Sequence, residues 1–272
     1  MKKAVKDASQ LRINPTEPEA MVQKLKRGQG FSSAYKPSVL VNQARIIVAQ
    51  TVDPVSETRV IADLLAQHYQ LSGCHPKTLL LDAGYFHDEV IAETQKHAIL
   101  LFCPEGNDRQ SPRKIYPKSR FIYHAEKDLY ICPANDRLRH VSTVRPSEKS
   151  RGHWVYTGAN CADYLEKEKC TQAKKGRKIK RYPEDNARDK LRSRMTRPES
   201  KRILSQRKIM VEPVFSALRG IQGLARFRRR GLSAVRVEFT LHAIAYNLSK
   251  AVVLILWVIF SLSWVVSPNN RQ

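Results

Sequence analysis

From Thr78 to Leu81 the chain runs as a continuous apolar stretch, too short for a helix, that stops at Asp82-Ala83-Gly84-Tyr85. Such a run, bounded by a turn signal, reads as a buried strand that hands a carboxylate to its C-terminal end. A helix expected from about His87 to His97 and a second buried strand, Ile99 to Cys103, complete a βαβ unit. That unit commits the chain to a mixed α/β sheet, in which ligands gather beyond the carboxyl ends of the strands.

The segments ahead of it extend the same sheet. Leu11 to Asn14 alternates apolar and polar residues before the breaker run Asn14-Pro15-Thr16-Glu17-Pro18, a strand entering a turn. Tyr35 to Val41 and Arg45 to Val52 are β-branched runs separated by Asn42-Gln43-Ala44, which predicts a hairpin. Val60, Ile61, Leu64, Leu65 and Leu71 recur at helical spacing, so a helix over Val55 to Leu71 covers that hairpin. Between Pro104 and about Pro183 regularity fails, and the stretch reads as an irregular insertion rich in charge and isolated aromatics. Lys201 to Leu218 is a basic amphipathic helix interrupted by Pro213. A long helix follows from about Ser233 to Val266, its last 16 residues from Ala251 free of charge.

Lys and Arg number 48 against 25 Asp and Glu, a formal net charge of +23. So large an excess repels itself unless a polyanion sits against it, and nucleic acid is the commonest such partner. Thr171 to Lys208 is the densest basic segment, with 15 Lys and Arg against four acids. The five cysteines are odd in number and the first residues are polar, so a disulfide scaffold is disfavoured and a reduced, cytoplasmic setting expected. The apolar C-terminal run falls short of the ~20 residues of a usual span, so a membrane is not the expected partner.

Metal-assisted attack on a phosphodiester needs oxygen ligands converging from different elements. Asp82 is placed for this, although capping the following helix is an equal alternative. Glu212 is a lone acid in Lys208 to Phe215, where pairing with a nearby Lys or Arg is the commoner role.

Taken together, LLLDAGYF, FIYHAEKDLYICP, and VEPVFSALRG with RFRRRGLSAVRVEFTLHAIAYNL resemble the DDE transposases of bacterial insertion sequences, in order and over most of Leu11 to Leu248. The resemblance is to the subgroup with a cysteine-bearing insertion before the last acid. It implies a ribonuclease-H-like mixed sheet flanked by helices. The implied layout has 1–106 as the first part of the catalytic domain and 107–183 as the insertion. Residues 184–250 are then its last part, and 251–272 an apolar helix and tail. The implied function is metal-dependent cleavage and transfer of DNA strands, with a catalytically silent DNA-binding remnant as the alternative.

Carried across residue by residue, the resemblance makes Glu17, Asp82 and Glu212 the catalytic, metal-holding acids, with Mg²⁺ or Mn²⁺ as the ion. The family's first acid is normally Asp, in a segment that here reads Asn14-Pro15-Thr16-Glu17-Pro18-Glu19-Ala20. Asp53 is the fallback ligand, and Asn42 a poor one. Lys208 and Arg219 share the helical face of Glu212 and are expected on phosphates beside the metals, Ser205 standing where the family tends to have Tyr. Lys174, Lys175, Arg177 and Lys178, within a basic cluster reaching Arg181, and Arg226, Arg228, Arg229 and Arg230 are expected to track DNA more remotely. Relatives carry a zinc-ribbon-like cysteine set. This chain keeps Cys132, Cys161 and Cys170 but has Tyr164 at the middle position, so inert thiols are favoured over zinc unless His140 or His153 completes the four. The implied partners are transposon ends and target DNA, bound by a homodimer at the nucleoid. The family normally begins with a helical end-recognition domain, and only about ten residues precede the first expected strand here, so the resemblance implies a truncated copy or one product of a divided gene.

Overall fold

The computed structural model describes residues 14–24, 30–56, 58–106, 116–148, 151–158, 161, 167–173 and 176–266. The chain divides into two compact units, one formed by Met1–Phe102 with Lys201–Gln272 and the other by Cys103–Ser200. The fold is mixed α/β, as the ribonuclease-H-like reading requires.

In the first unit, β1 (Met21–Lys24) and β2 (Phe31–Ala34) form an antiparallel ribbon that the sequence reading does not contain. The expected hairpin is present as β3 (Lys36–Val41) and β4 (Ile47–Asp53), antiparallel with a register shift between Leu40 and Val41. Helix α1 (Val60–Ser72) starts later than the periodicity predicts. The cause is local: Asp53 Oδ1 accepts the N–H groups of Val55 and Ser56, both at 2.7 Å, and holds them in a turn. Gly73 ends the helix at φ 72°, its N–H reaching Tyr69 O at 2.8 Å, a conformation that favours glycine. Strand β5 (Thr78–Leu80), helix α2 (Asp88–Lys96) and strand β6 (Leu100–Phe102) make the expected βαβ unit, with β5 and β6 parallel. Of the first strand expected at Leu11 to Asn14, residues 11–13 lie outside the described residues, and Asn14 already opens the following turn.

The second unit corrects the reading of an irregular insertion. Strands β7 (Ile122–His124), β8 (Leu129–Ile131), β9 (Arg137–Val144), β10 (His153–Gly158) and β11 (Lys178–Arg181) form a five-stranded antiparallel sheet in sequential order. Short helix α3 (Lys167–Cys170) precedes β11, and α4 (Asp185–Thr196) follows it. One face of the sheet buries Phe121, Tyr130, Leu138, Tyr156 and Ile179. Arg181 joins that interior rather than the surface cluster to which it was assigned. Its guanidinium bonds Tyr130 Oη and Asp189 Oδ2, both at 2.8 Å, and stacks 3.4 Å from the Tyr123 ring centre. The sheet escaped the sequence because β9 buries only Leu138, so no alternation marks it.

The chain returns to the first unit through α5 (Pro198–Gly220) and α6 (Leu232–Val266). Pro213 does not interrupt α5 as expected. A proline removes the bond to the carbonyl four residues earlier, here that of exposed Ile209, where water can take the proline's place. Val214 and Leu218 of α5 and Val235, Phe239, Ala243 and Tyr246 of α6 close over Ile47 and Val52 of β4. The Asn247 side chain completes the contact, accepting from Ile47 N at 2.9 Å and donating to Ile47 O at 2.8 Å.

Phe239 is fully buried in this cluster, whereas Ile221 is almost wholly exposed. Urea unfolding of Phe239→Ala is expected to show a loss of about 3–5 kcal/mol. Ile221→Ala should stay within roughly 0.5 kcal/mol of the parent. Equal losses for the two would show that the α6 contact is not the core of the first unit.

Candidate active site

Asp82 follows β5 and lines a cleft of about 710 Å³ in the first unit, together with Tyr35, Lys36, Tyr85, Arg207, Phe215 and Arg219. Its Oδ1 accepts Gly84 N at 3.1 Å and starts the single turn Ala83–Tyr85, so the capping role is realised on one oxygen. Its Oδ2 accepts from Arg207 Nη2 at 2.8 Å. The Asp82 side chain is 47% exposed and that of Arg207 29%, and a pair so open to solvent contributes only about 0–1 kcal/mol. Arg207 therefore neutralises Asp82 without locking it.

Glu17 sits in a turn built by its neighbours. Asn14 Oδ1 accepts from Thr16 N at 3.1 Å, Glu17 N reaches Asn14 O, and Ala20 N reaches Glu17 O before Ala20 is buried. Glu19 fastens the turn to α6, accepting Leu232 N at 2.6 Å across 213 positions of sequence. An acid on the orphan N–H groups of a helix start is favoured by the helix dipole as well. Tyr35, which lines the Asp82 cleft, also faces Glu17: burial first, and then interaction with the Glu17 carboxylate, pushes its phenol up to about 12. That hydroxyl is buried and completes no hydrogen bond.

Glu212 lies on α5, exposed, five positions beyond Arg207, and it does not line the cleft. Lys208 is likewise exposed, while Arg219 lines the cleft with its guanidinium 5.4 Å from the Phe215 ring centre. Among the described residues no group of three or more His, Cys, Asp or Glu side chains is placed to hold a metal ion. A divalent ion of the expected kind takes several converging oxygens, so the residues as they stand do not fit one. Asp53 is committed to the turn before α1, and Asn42 Oδ1 to Ile46 N at 2.9 Å, which leaves neither free as a substitute.

The basic residues divide clearly. Arg226, Arg228, Arg229 and Arg230 are all exposed, on a turn whose backbone is held from below by the buried Glu238 carboxylate, which accepts the N–H groups of Arg228 and Arg229 at 2.9–3.0 Å. Lys178 is exposed on β11. Arg177 instead bridges the carbonyls of Cys170 and Tyr116 at 3.1 and 3.2 Å. Lys174 and Lys175 lie outside the described residues.

Cys132, Cys161 and Cys170 line a 460 Å³ cavity of the second unit. Cys132 Sγ accepts Asp136 N at 3.3 Å. Burial pushes the Cys170 thiol up, Arg177 opposes this, and the neighbouring Cys161 and Cys132 add to it. Neither His140 nor His153 lines that cavity: His140 bonds Thr143 Oγ1, and His153 bonds Arg151 O.

Of the residues lining the cleft, Asp82 and Arg219 are named by the sequence, whereas Tyr35 and Arg207 are not, nor is Glu238 beneath the arginine-rich turn. Arg207 carries a usable signal, since it falls three to four positions from Met210 and Val211, on the α5 face that lines the cleft. Glu238 carries none, because its partners are backbone groups.

Residues 131–252 match the family model described as Transposase DDE domain. The match takes in Lys208, Glu212 and Arg219 but neither Glu17 nor Asp82. No curated protein and no solved structure matches the chain.

Because burial and a carboxylate together raise Tyr35, its neutral form stabilises the fold below pH about 10, the pKa of a free tyrosine. That contribution is lost as pH rises towards about 12. In Glu17→Gln the absorbance step assigned to Tyr35, by difference from Tyr35→Phe, should move to lower pH. An unmoved step would separate Glu17 from the cleft.

Proposed function

We propose that the chain, whose residues 131–252 match the family model described as Transposase DDE domain, is a DDE transposase that cleaves DNA strands at transposon ends and transfers them to a target. Glu17, Asp82 and Glu212 are the acids it would use; because no such group of three is placed to hold an ion among the described residues, they would have to draw together on bound DNA before holding Mg²⁺ or Mn²⁺. The observation that carries the reading is Asp82 at the end of a parallel strand, in a cleft it shares with Arg207 and Arg219 from the family-matched helix α5. Phosphate is a ligand that the guanidinium groups of Arg207 and Arg219 suit, and the net charge of +23 supplies the long-range attraction for a duplex. The protein works as a homodimer on DNA, in the cytoplasm at the nucleoid.

The alternative, a silent DNA-binding remnant, is favoured by one observation: Asp82 already carries a cation, Arg207, and no third ligating side chain joins it among the described residues. Nicking of DNA that contains the element's own ends decides between them. The enzyme is expected to nick in Mg²⁺ or Mn²⁺ and to lose at least about 1,000-fold of that rate in Asp82→Ala. Binding without nicking under any divalent ion would establish the remnant.

The basic residues separate further. Neutralising Arg226, Arg228, Arg229 and Arg230 should weaken binding to every sequence and lower the salt slope by roughly one unit for each phosphate that is no longer neutralised. Neutralising Lys208 or Arg219 should depress cleavage of bound DNA more than affinity, because charge beside the reacting phosphate acts on the transition state. Equal losses of affinity in both groups, with cleavage of bound DNA unchanged, would remove Glu212 from the site.

A further inference from the structure

Up to Leu248 helix α6 has two apolar faces, and from Val252 to Ile259 every residue is apolar and exposed. The inner one, Val235, Phe239, Ala243 and Tyr246, is buried in the first unit. On the other side Val237, Leu241, Ile244, Leu248, Ile255 and Val258 are 48–62% exposed, and Ala251 is exposed between them. The spacing of these seven residues is four, three, four, three, four, three, the a and d repeat of a coiled-coil seam. The inner-face residues fall at the b, c and f positions, away from the seam.

We infer that this seam is the surface through which two copies of the chain associate, as a two-helix coiled coil formed without DNA. The inference deepens the homodimer within the proposed function by naming its surface, and it does not depend on catalysis. Three observations select a second copy as the occupant. From Val237 to Val258 the seam runs about 32 Å at 1.5 Å per residue. Six large apolar residues in one strip, each 48–62% exposed, are more than a soluble monomer usually leaves open.

Charge points the same way. A chain of net charge +23 repels its copies over most of its surface, yet from Val237 to Ser249 the helix carries no Lys or Arg. The basic residues at either end are directed elsewhere: Arg236 Nε donates to Val52 O at 3.1 Å, and Lys250 Nζ sits 5.9 Å from the Tyr246 ring centre. Glu238, the single acid beside the seam, is turned onto the Arg228 and Arg229 backbone.

A lipid bilayer fits less well. Leu232–Ile259 is long and apolar enough to cross a membrane, with a mean hydropathy of 1.6, but its first half is the helix that packs on β4 through Val235, Phe239, Ala243 and Tyr246. A span would have to begin near Ala251, and the 16 residues to Val266 are fewer than the ~20 required.

The test is sedimentation of the full chain without DNA, with circular dichroism as the control for folding. The parent is expected to be a dimer at micromolar concentration. Leu248→Glu should raise the dimer Kd by at least about 100-fold, because it places an unpaired carboxylate in the seam, and should keep the parent's helical signal and its unfolding midpoint. Should that variant fail to fold, Leu248→Cys in a Cys74→Ser background gives a second reading. Leu248 lies at the middle of the seam, so opposed copies bring it together whichever way the helices run, and oxidation should link them. Val253→Cys, away from the seam, should not link. A monomeric parent, a dimer unaffected by Leu248→Glu, equal cross-linking at both positions, or a monomer that floats with phospholipid vesicles would each overturn the inference. Loss of DNA cleavage with the dimer intact would instead count against the proposed function alone.

Discussion

The first unit depends on the contact between the inner face of α6 and the β3–β4 hairpin, elements about two hundred residues apart in sequence. Apolar burial supplies the drive, through Phe239, Val235 and Tyr246 against Val52 and Ile47. Direction comes from polar groups that make sense in one register only. Asn247 pairs with both backbone groups of Ile47, and Gln50 Nε2 donates to Thr240 Oγ1 at 2.7 Å. With α6 fixed there, its first N–H group holds Glu19 and so the Glu17 turn, and its Glu238 holds the arginine-rich turn. The acid and basic elements near the two ends of the first unit thus hang from one helix.

In a chain so rich in Lys and Arg, the scarce acids act largely as organisers. Glu19, Glu238 and Asp53 accept backbone N–H groups. In the second unit Asp185 pairs with Lys118, Asp189 with Arg181 and Arg192, and Glu105 with Arg192. Burial lowers the Lys118 pKa while Asp185 counteracts it. The Arg192 guanidinium is pushed up, chiefly by its hydrogen bond to Glu105. The densest basic segment is therefore partly neutralised within its own unit, and its exposed members, such as Lys178, carry the positive surface. Asp82 also accepts a backbone N–H, that of Gly84, but its other oxygen is held by a half-exposed cation pair that is cheap to break.

Local pattern made the βαβ unit and the β3–β4 hairpin legible, because their strands are short, apolar and bounded by turn residues. The C-terminal helices were legible for the same reason, as long runs of helical spacing. The five-stranded sheet was not, since β9 buries only Leu138 and the tyrosines of β7, β8 and β10 stand singly in sequence. Of the site, Asp82 could be read from its place after an apolar strand. Its partner Arg207, one arginine among many in a basic helix, is marked in sequence only by the α5 face it shares with Met210 and Val211. Glu17 was reached through family resemblance, and its tie to the cleft runs through Tyr35, a residue with no sequence signal at all.

We propose that Glu17, Asp82 and Glu212 serve one metal-dependent DNA site. Fe²⁺ substituted for Mg²⁺ in the DNA complex, with peroxide and ascorbate added, cuts the protein backbone beside wherever the ion resides, independently of whether DNA is nicked. Cuts are predicted near residues 17, 82 and 212 together, all three lost in Asp82→Ala. Cuts confined to other positions, or cuts at these three that persist in Asp82→Ala, would contradict the claim.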